Sequence, residues 1–270
     1  MKLKSLLKNK LTKKELELLP TSFDVVGSIL IFLDFPKELI KKEKLIANIL
    51  LKEHENIKTI VKKTEFYKGK YRTPKIKIIL GEKTKESTYK ENEVITKLNI
   101  ETCYFSPRLG NERLRISKLI KSKESILVMF SGVGIYPLVI SKNSKAKEIY
   151  GIELNKEAHK YALENLELNK VNNVNLIKGD AKKIIPKLNK KFDRIIMPLP
   201  KNAKDFLKDV LKVSRKNTII HFYDFQHENE FSKTKEKIRK HVKKFRILRT
   251  IKCGQYAPRK YRICVDFKVL

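Results

Sequence analysis

Only 30 aspartates and glutamates stand against 62 lysines and arginines in this 270-residue chain, which leaves a formal net charge of +32. That deficit of acid excludes basic partners and favours a polyanion such as nucleic acid, because the summed field attracts phosphate at long range. Part of the excess is lysine scattered over ordinary helices. Cysteine is also scarce: Cys103, Cys253 and Cys264 are an odd set without CxxC spacing, which excludes a disulfide framework and leaves no metal centre evident. Reduced, buried thiols are expected. Long apolar runs are missing too, since the stretch from Ile29 to Phe35 falls well short of the roughly 20 residues that span a bilayer. The charged, amphipathic N-terminus has no apolar signal core. A cytoplasmic protein without membrane contact is expected. There is no internal repeat and no low-complexity tail. With 41% hydrophobic residues the chain has ample core, and its length favours two domains over one.

The N-terminal part reads as a small α+β domain with about four strands. Phe23 to Phe32 suggests a strand broken by a turn, Pro36 to His54 a helix, and Ile57–Val61 and Lys75–Leu80 two further strands. Glu93 to Ile100 leads out of it. The boundary is placed at residue 105, giving domains 1–105 and 106–270. Beyond it, strands and helices alternate as in a parallel sheet covered on both faces. The apolar run Ile126–Phe130 is followed by strands near 148–152, 174–177, 194–197, 218–223, 245–252 and 261–267, seven in all. Asn155 suits the N-cap of a helix running to Leu168.

The first strand of that series ends in Phe130-Ser131-Gly132-Val133-Gly134. A tight glycine turn lets backbone N–H groups and a helix N-terminus approach a ligand. Only two of the three glycines of a dinucleotide fingerprint are present, so the turn alone is a weak signal. Glu153, at the end of the next strand, is placed to accept ribose hydroxyls, and Asp180, at the end of the third, could reach an adenine amino group. Three such features at successive strand ends suit S-adenosylmethionine better than NAD. Pro198-Leu199-Pro200 closes the fourth strand, where open α/β sheets place their chemistry. Two prolines fix an extended turn that could press a flat base edge toward a donor, or could be only a rigid strand exit. Glu112 lies between Arg108 and Arg113, with Arg115 beyond. A surface ion pair of Arg108 with Glu112 is one account. The other is a carboxylate base that removes N1–H from guanine while a cation faces O6.

From Leu19-Pro20-Thr21-Ser22-Phe23-Asp24 through Tyr104-Phe105-Ser106-Pro107-Arg108-Leu109-Gly110-Asn111-Glu112-Arg113 to Tyr256-Ala257-Pro258-Arg259, the chain resembles the archaeal and eukaryotic tRNA (guanine-37-N1)-methyltransferases. The resemblance implies a class I, Rossmann-like methyltransferase with a seven-stranded sheet, preceded by a small RNA-guiding domain and with no room for the extra N-terminal domain of some members. It implies S-adenosylmethionine as methyl donor, the tRNA anticodon loop at position 37 as partner, and a monomer. Glu112 is then the general base and Arg72 stabilises guanine O6. Tyr104, Arg108 and Arg113 shape the pocket for the base and backbone. The donor site comprises Phe130, Gly132, Gly134, Glu153, Asp180 and Pro198, and Pro198 and Pro200 also face the target base.

Two positions depart from the family pattern. Val128 replaces an acidic residue before the Met-Phe pair, and Pro198 stands where many relatives have Asn. Loss of that amide resembles an archaeal subgroup that also methylates C7 of the wyosine intermediate imG2. Two rivals are an aminocarboxypropyl transferase of wyosine synthesis, whose members lack these Ser-Pro-Arg and Leu-Pro patterns, and a non-catalytic RNA-binding protein on the same scaffold.

Overall fold

The computed structural model describes residues 3–20, 22–199 and 202–270, and these form two compact units. The first comprises residues 1–90 and 96–107, the second residues 91–95 and 108–270. No single cut in the sequence can express that division, because a hairpin tip belongs with the second unit.

In the first unit, helices α1 (Leu3–Leu7) and α2 (Lys13–Glu17) precede the hairpin β1 (Phe23–Val26) and β2 (Ile29–Phe32). Gly27 turns that hairpin with φ of 55°, and a Cβ there would meet the Thr88 carbonyl oxygen at 2.2 Å. Glycine is therefore dictated twice, by conformation and by space. A 3-10 turn over Lys37–Lys42 leads into α3 (Glu43–Glu53), which crosses over to β3 (Thr59–Lys68), parallel to β2, and β4 (Thr73–Gly81) then returns antiparallel. The four strands form one sheet in the order β1-β2-β3-β4. Leu30, Phe32, Ile46, Ala47 and Ile60 make its core with Leu7 and Leu39. The hairpin β5 (Glu86–Glu91) and β6 (Val94–Asn99) stands where the sequence suggested only a lead-out over Glu93 to Ile100. Asn92 and Glu93 at its turn both have positive φ, as a two-residue type I′ turn demands.

A 3-10 turn over Pro107–Leu109 leads into the main part of the second unit and its helix α4 (Gly110–Lys118). Then come β7 (Ser125–Met129), α5 (Ile135–Asn143), β8 (Glu148–Glu153), α6 (Lys156–Asn169), β9 (Val174–Lys178), α7 (Ala181–Ile184) and β10 (Phe192–Met197). The remainder is α8 (Leu207–Lys212), β11 (Ser214–His227), α9 (Phe231–Arg239), β12 (Phe245–Ala257) and β13 (Lys260–Val269). The sheet runs β12-β13-β11-β10-β7-β8-β9. Five strands are parallel as expected, whereas β13 pairs antiparallel with both β11 and β12. The reason is local: only two residues join β12 to β13, too few for the crossover that a parallel pair needs.

Every residue of β7 is buried, which explains its unbroken apolar run. Chain order reverses on either side of it, with β8 and β9 on one flank and β10 and β11 on the other. The crevice beyond the carboxyl ends of β7 and β10 is thus the switch point where such sheets bind ligands.

Candidate active site

Phe130, the residue after β7, has φ of 55°. A side chain in that left-handed region is strained, and such strain persists only where surrounding structure enforces it. Here the ring sits edge-on against Phe206, with centroids 4.9 Å apart. Gly132 and Gly134 follow at φ of 57° and 83°. A Cβ on Gly134 would lie 3.3 Å from the Ala162 methyl carbon, so the turn rests closely on α6. Glu153 at the end of β8 accepts the Gly132 N–H at Oε2 and the Asn155 N–H at Oε1, both at 2.7 Å. Burial pushes its carboxyl up while those backbone donors pull it down. Each oxygen has a second lone pair, a suitable pair of acceptors for vicinal ribose hydroxyls.

Asp180 follows β9 and caps α7 by accepting the Lys182 N–H at 3.0 Å, which occupies one lone pair of its carboxylate. Pro198 follows β10, and the pairing of Ile196 with Val128 brings it alongside Phe130. Phe130, Gly132, Gly134, Glu153, Asp180 and Pro198 therefore all stand at the carboxyl edge of the sheet. Pro200 lies outside the described residues.

Glu112 is no surface residue: it is 6% exposed. Arg115 donates to both its oxygens, from Nε to Oε2 at 2.7 Å and from Nη2 to Oε1 at 2.8 Å. The Tyr223 hydroxyl adds a bond to Oε1 at 2.5 Å. Tyr223 is the residue after the Met197–Phe222 pair of β10 and β11, and its hydroxyl also accepts from Tyr136 in the first turn of α5, so Glu112 lies near the start of the helix that follows the glycine turn. The expected surface pairing with Arg108 gives way to this buried fork, because α4 turns Glu112 inward while Arg108 is exposed on the preceding turn.

Arg113, the next residue on α4, is enclosed as well. It is 2% exposed and grips Glu91 through Nε and Nη2. A guanidinium enclosed in this way anchors α4 to the hairpin tip. Val128, where an acid was expected from the family, lies fully buried among Ile126, Ile149, Ile196 and Tyr223. A carboxylate there would need a partner that this apolar cluster lacks. Arg72 and Tyr104 belong to the first unit. Arg72 sits in the turn between β3 and β4 with φ of 52°, its N–H reaching the Gly69 carbonyl, and Tyr104 is half-buried.

Behind Glu112 runs a chain of charges that sequence reading did not find. Arg115 also donates to Asp266 at 2.8 Å, and Asp266 accepts from His221 Nδ1 at 2.6 Å. His221 Nε2 faces Arg194 Nη1 at 2.9 Å, and Arg194 forks onto Glu124. Arginine can only donate, so Nε2 accepts and the proton of a neutral imidazole sits on Nδ1. The only local hint was the three-residue spacing of Glu112 and Arg115. His221, Cys264 and Asp266 offer donor atoms within 4.8 Å of one another, a spacing open to a metal. Their atoms are engaged in hydrogen bonds, however, and two guanidiniums flank them, so a cation would meet like charge. Of the cysteines, Cys103 and Cys264 are buried and Cys253 is half-buried.

His221 gives the fold a pH dependence. Burial depresses its proton affinity, and the nearby Arg194 and Arg115 add to this against the Asp266 hydrogen bond. The unfolded imidazole takes up a proton near pH 6.5 and the folded one only at lower pH. Its contribution is therefore complete above that value and is lost as the pH falls below it. Melting temperature should drop from pH 7 toward pH 5, and His221→Gln should flatten that drop; a wild-type melting curve level across this interval would exclude the assignment.

Residues 87–249 match the family model described as the TRM5/TYW2 methyltransferase domain, and residues 3–84 match that of the TYW2 N-terminal domain. The chain belongs to the TRM5/TYW2 methyltransferase family. Its relatives include the tRNA (guanine(37)-N(1))-methyltransferase Trm5b of Pyrococcus abyssi, 38% identical over 93% of this chain and 76% of that protein. The tRNA (guanine(37)-N(1))/4-demethylwyosine(37)-methyltransferase Taw22 of Nanoarchaeum equitans is 34% identical over 92% of this chain and 100% of its own length. Among solved structures, the complex of aTrm5 with tRNALeu superposes with a TM-score of 0.88 at 28% identity, covering 100% of this chain and 78% of that one. The class I fold expected from the sequence is thus the fold of this family. Among the described residues no helix is long and apolar enough to cross a membrane.

Proposed function

We propose that this chain transfers a methyl group from S-adenosylmethionine to N1 of guanine at position 37 of tRNA. One observation carries the proposal: a buried carboxylate, Glu112, lies near the start of the helix that follows the glycine turn, whose Gly132 N–H donates to Glu153. In this reading Phe130, Gly132, Gly134, Glu153, Asp180 and Pro198 hold the donor, with Glu153 accepting from the ribose. The bound sulfonium supplies an electrophilic methyl group for in-line transfer. Glu112 takes the N1 proton as the N–CH3 bond forms and the S–CH3 bond breaks, and Arg72 offsets charge on O6. Tyr104 and Arg108 face the flipped nucleotide and its phosphates. Extruding a base from a loop is cheaper than extruding it from a duplex.

Mass spectrometry of nucleosides from transcript tRNA, incubated with enzyme and isotopically labelled donor, tests this directly. Labelled 1-methylguanosine at position 37 is expected; an aminocarboxypropyl adduct would establish the first rival, and no transfer at all the second. A second substrate is favoured by Pro198, which offers the pocket shape without an amide that demands a partner. The tricyclic base named for the Nanoarchaeum relative is 4-demethylwyosine, in place of the imG2 expected from the sequence. Offering tRNA with that base at position 37 to the wild type and to Pro198→Asn should show the mutant shifted toward guanine.

Glu153→Ala should weaken donor binding by about 1–3 kcal/mol, since a charged acceptor of two hydroxyls is lost, while tRNA affinity stays put. Calorimetry with the donor reads the change, and an unaltered affinity would remove Glu153 from the site. A net charge of +32 should make tRNA binding fall steeply with salt through counterion release. Affinity independent of salt on a double-logarithmic plot would contradict a phosphate-led interface.

A further inference from the structure

Behind Glu112 three carboxylates, Glu112, Asp266 and Glu124, alternate with two enclosed guanidiniums, Arg115 and Arg194, while Arg249 reaches Asp266 from the rim at 3.8 Å. His221 stands neutral between Asp266 and Arg194. Arg115 is the shared element: it binds Glu112 on one side and Asp266 on the other, and the Asp266 side chain is 2% exposed. Burial would raise the Asp266 carboxyl, but its bonds to His221 and the Arg115 guanidinium hold it well below the usual carboxylate range.

We infer that Asp266 and Tyr223 act as opposed positioning residues that set how readily Glu112 accepts a proton, Asp266 by drawing on Arg115 and Tyr223 by donating to Oε1. This rests on the reading of Glu112 as the base. While Asp266 is ionised, Arg115 is divided between two carboxylates, and its hold on the Glu112 oxygens is shared rather than undivided. The Tyr223 hydroxyl acts in the other direction, because a donor to the ionised form favours that form. During transfer the proton passes from N1 to the Glu112 carboxylate, while Arg115 stays protonated and Asp266 ionised.

The other groups around Glu112 do not supply the same control. Burial pushes the Tyr136 phenol on α5 far up and likewise the Cys253 and Cys264 thiols on β12 and β13, so all three stay neutral. Arg113 on α4 is committed to Glu91. Arg262 on β13 acts on the Cys253 thiol, and Arg249 on β12 stands 3.8 Å from Asp266 but is half-exposed, so water screens it.

The test is the pH dependence of the single-turnover rate with saturating donor and tRNA. Asp266→Asn leaves Arg115 wholly to Glu112 and should move the acid limb of the profile to lower pH by about half a unit to one unit, with a lower plateau. Tyr223→Phe should move it to higher pH by a similar amount. Asp266→Glu, which restores the charge, should return the limb toward wild type. Limbs that stay in place, or move in the same direction in both variants, overturn the inference, since a merely structural role slows the reaction without opposite shifts. If Asp266→Asn does not fold, Tyr223→Phe decides alone, and an unmoved limb overturns the inference. Glu112→Gln separates the two levels: it should abolish the limb, and a limb that survives there rejects the base assignment itself. A limb lost in Glu112→Gln but unmoved in the others rejects only the control by Asp266 and Tyr223.

Discussion

Replacing Glu112 by Gln should slow methyl transfer by about 100-fold or more in single-turnover experiments, with donor and tRNA bound as in the wild type. The amide keeps the side chain's shape and can still accept from Tyr223 and Arg115, but it cannot take up the N1 proton. Tyr223 and Tyr136, hydrogen-bonded to each other and to this site, offer no substitute, because both are donors here and burial disfavours their ionised forms. Rates within a few-fold of wild type would end the case for Glu112 as base. Because the variant exchanges a charged group for a neutral one in a buried network, its melting temperature should be recorded beside the rate, so that a folding defect is not mistaken for lost chemistry.

The largest structural effect should come from Arg194→Met. Arg194 is 2% exposed and spends its donors on Glu124 Oε1 and Oε2, the Leu119 carbonyl and His221 Nε2, all between 2.7 and 3.0 Å. Methionine fills much of the volume but leaves a carboxylate, a carbonyl and a ring nitrogen without their partner. Breaking a buried pair on one side costs about 3–5 kcal/mol, which for a unit of this size lowers the melting temperature by roughly 6–20 °C. The double variant Arg194→Met with Glu124→Met removes the orphaned charge and should recover part of the loss. A shift of less than about 2 °C in the single variant would mean that the network contributes little to stability. The same measurement on Arg113→Met tests the second enclosed arginine, whose partner Glu91 sits in the hairpin tip of the second unit.

Much of this molecule was legible residue by residue. Alternating apolar runs and caps located the strands of the methyltransferase sheet, and Asn155 does cap α6 by accepting the Glu157 N–H. The glycine turn and Glu153 were legible because a nucleotide-type site is built at the ends of adjacent strands, from features about twenty residues apart in sequence. Short-range signals served less well where the chain doubles back. The hairpin strand β5 carries weak alternation, and the antiparallel edge formed by β12 and β13 follows from a two-residue connection, which a strand count does not register.

The setting of Glu112 was decided by tertiary structure alone. Its spacing to Arg108 suggested a surface pair, whereas its partner Tyr223 is 111 residues away and the Asp266 that shares Arg115 lies 151 residues from it. Those contacts exist because β11 and β13 are neighbours in the sheet and α4, packed on α5, reaches Tyr223 and Asp266 on them. Sequence determined that a carboxylate, a glycine turn and a dense positive charge occur in one chain. Which arginine the carboxylate meets, and whether it meets water, depended on strand order, since burial and pairing are properties of the assembled sheet and leave no periodic trace in any local stretch.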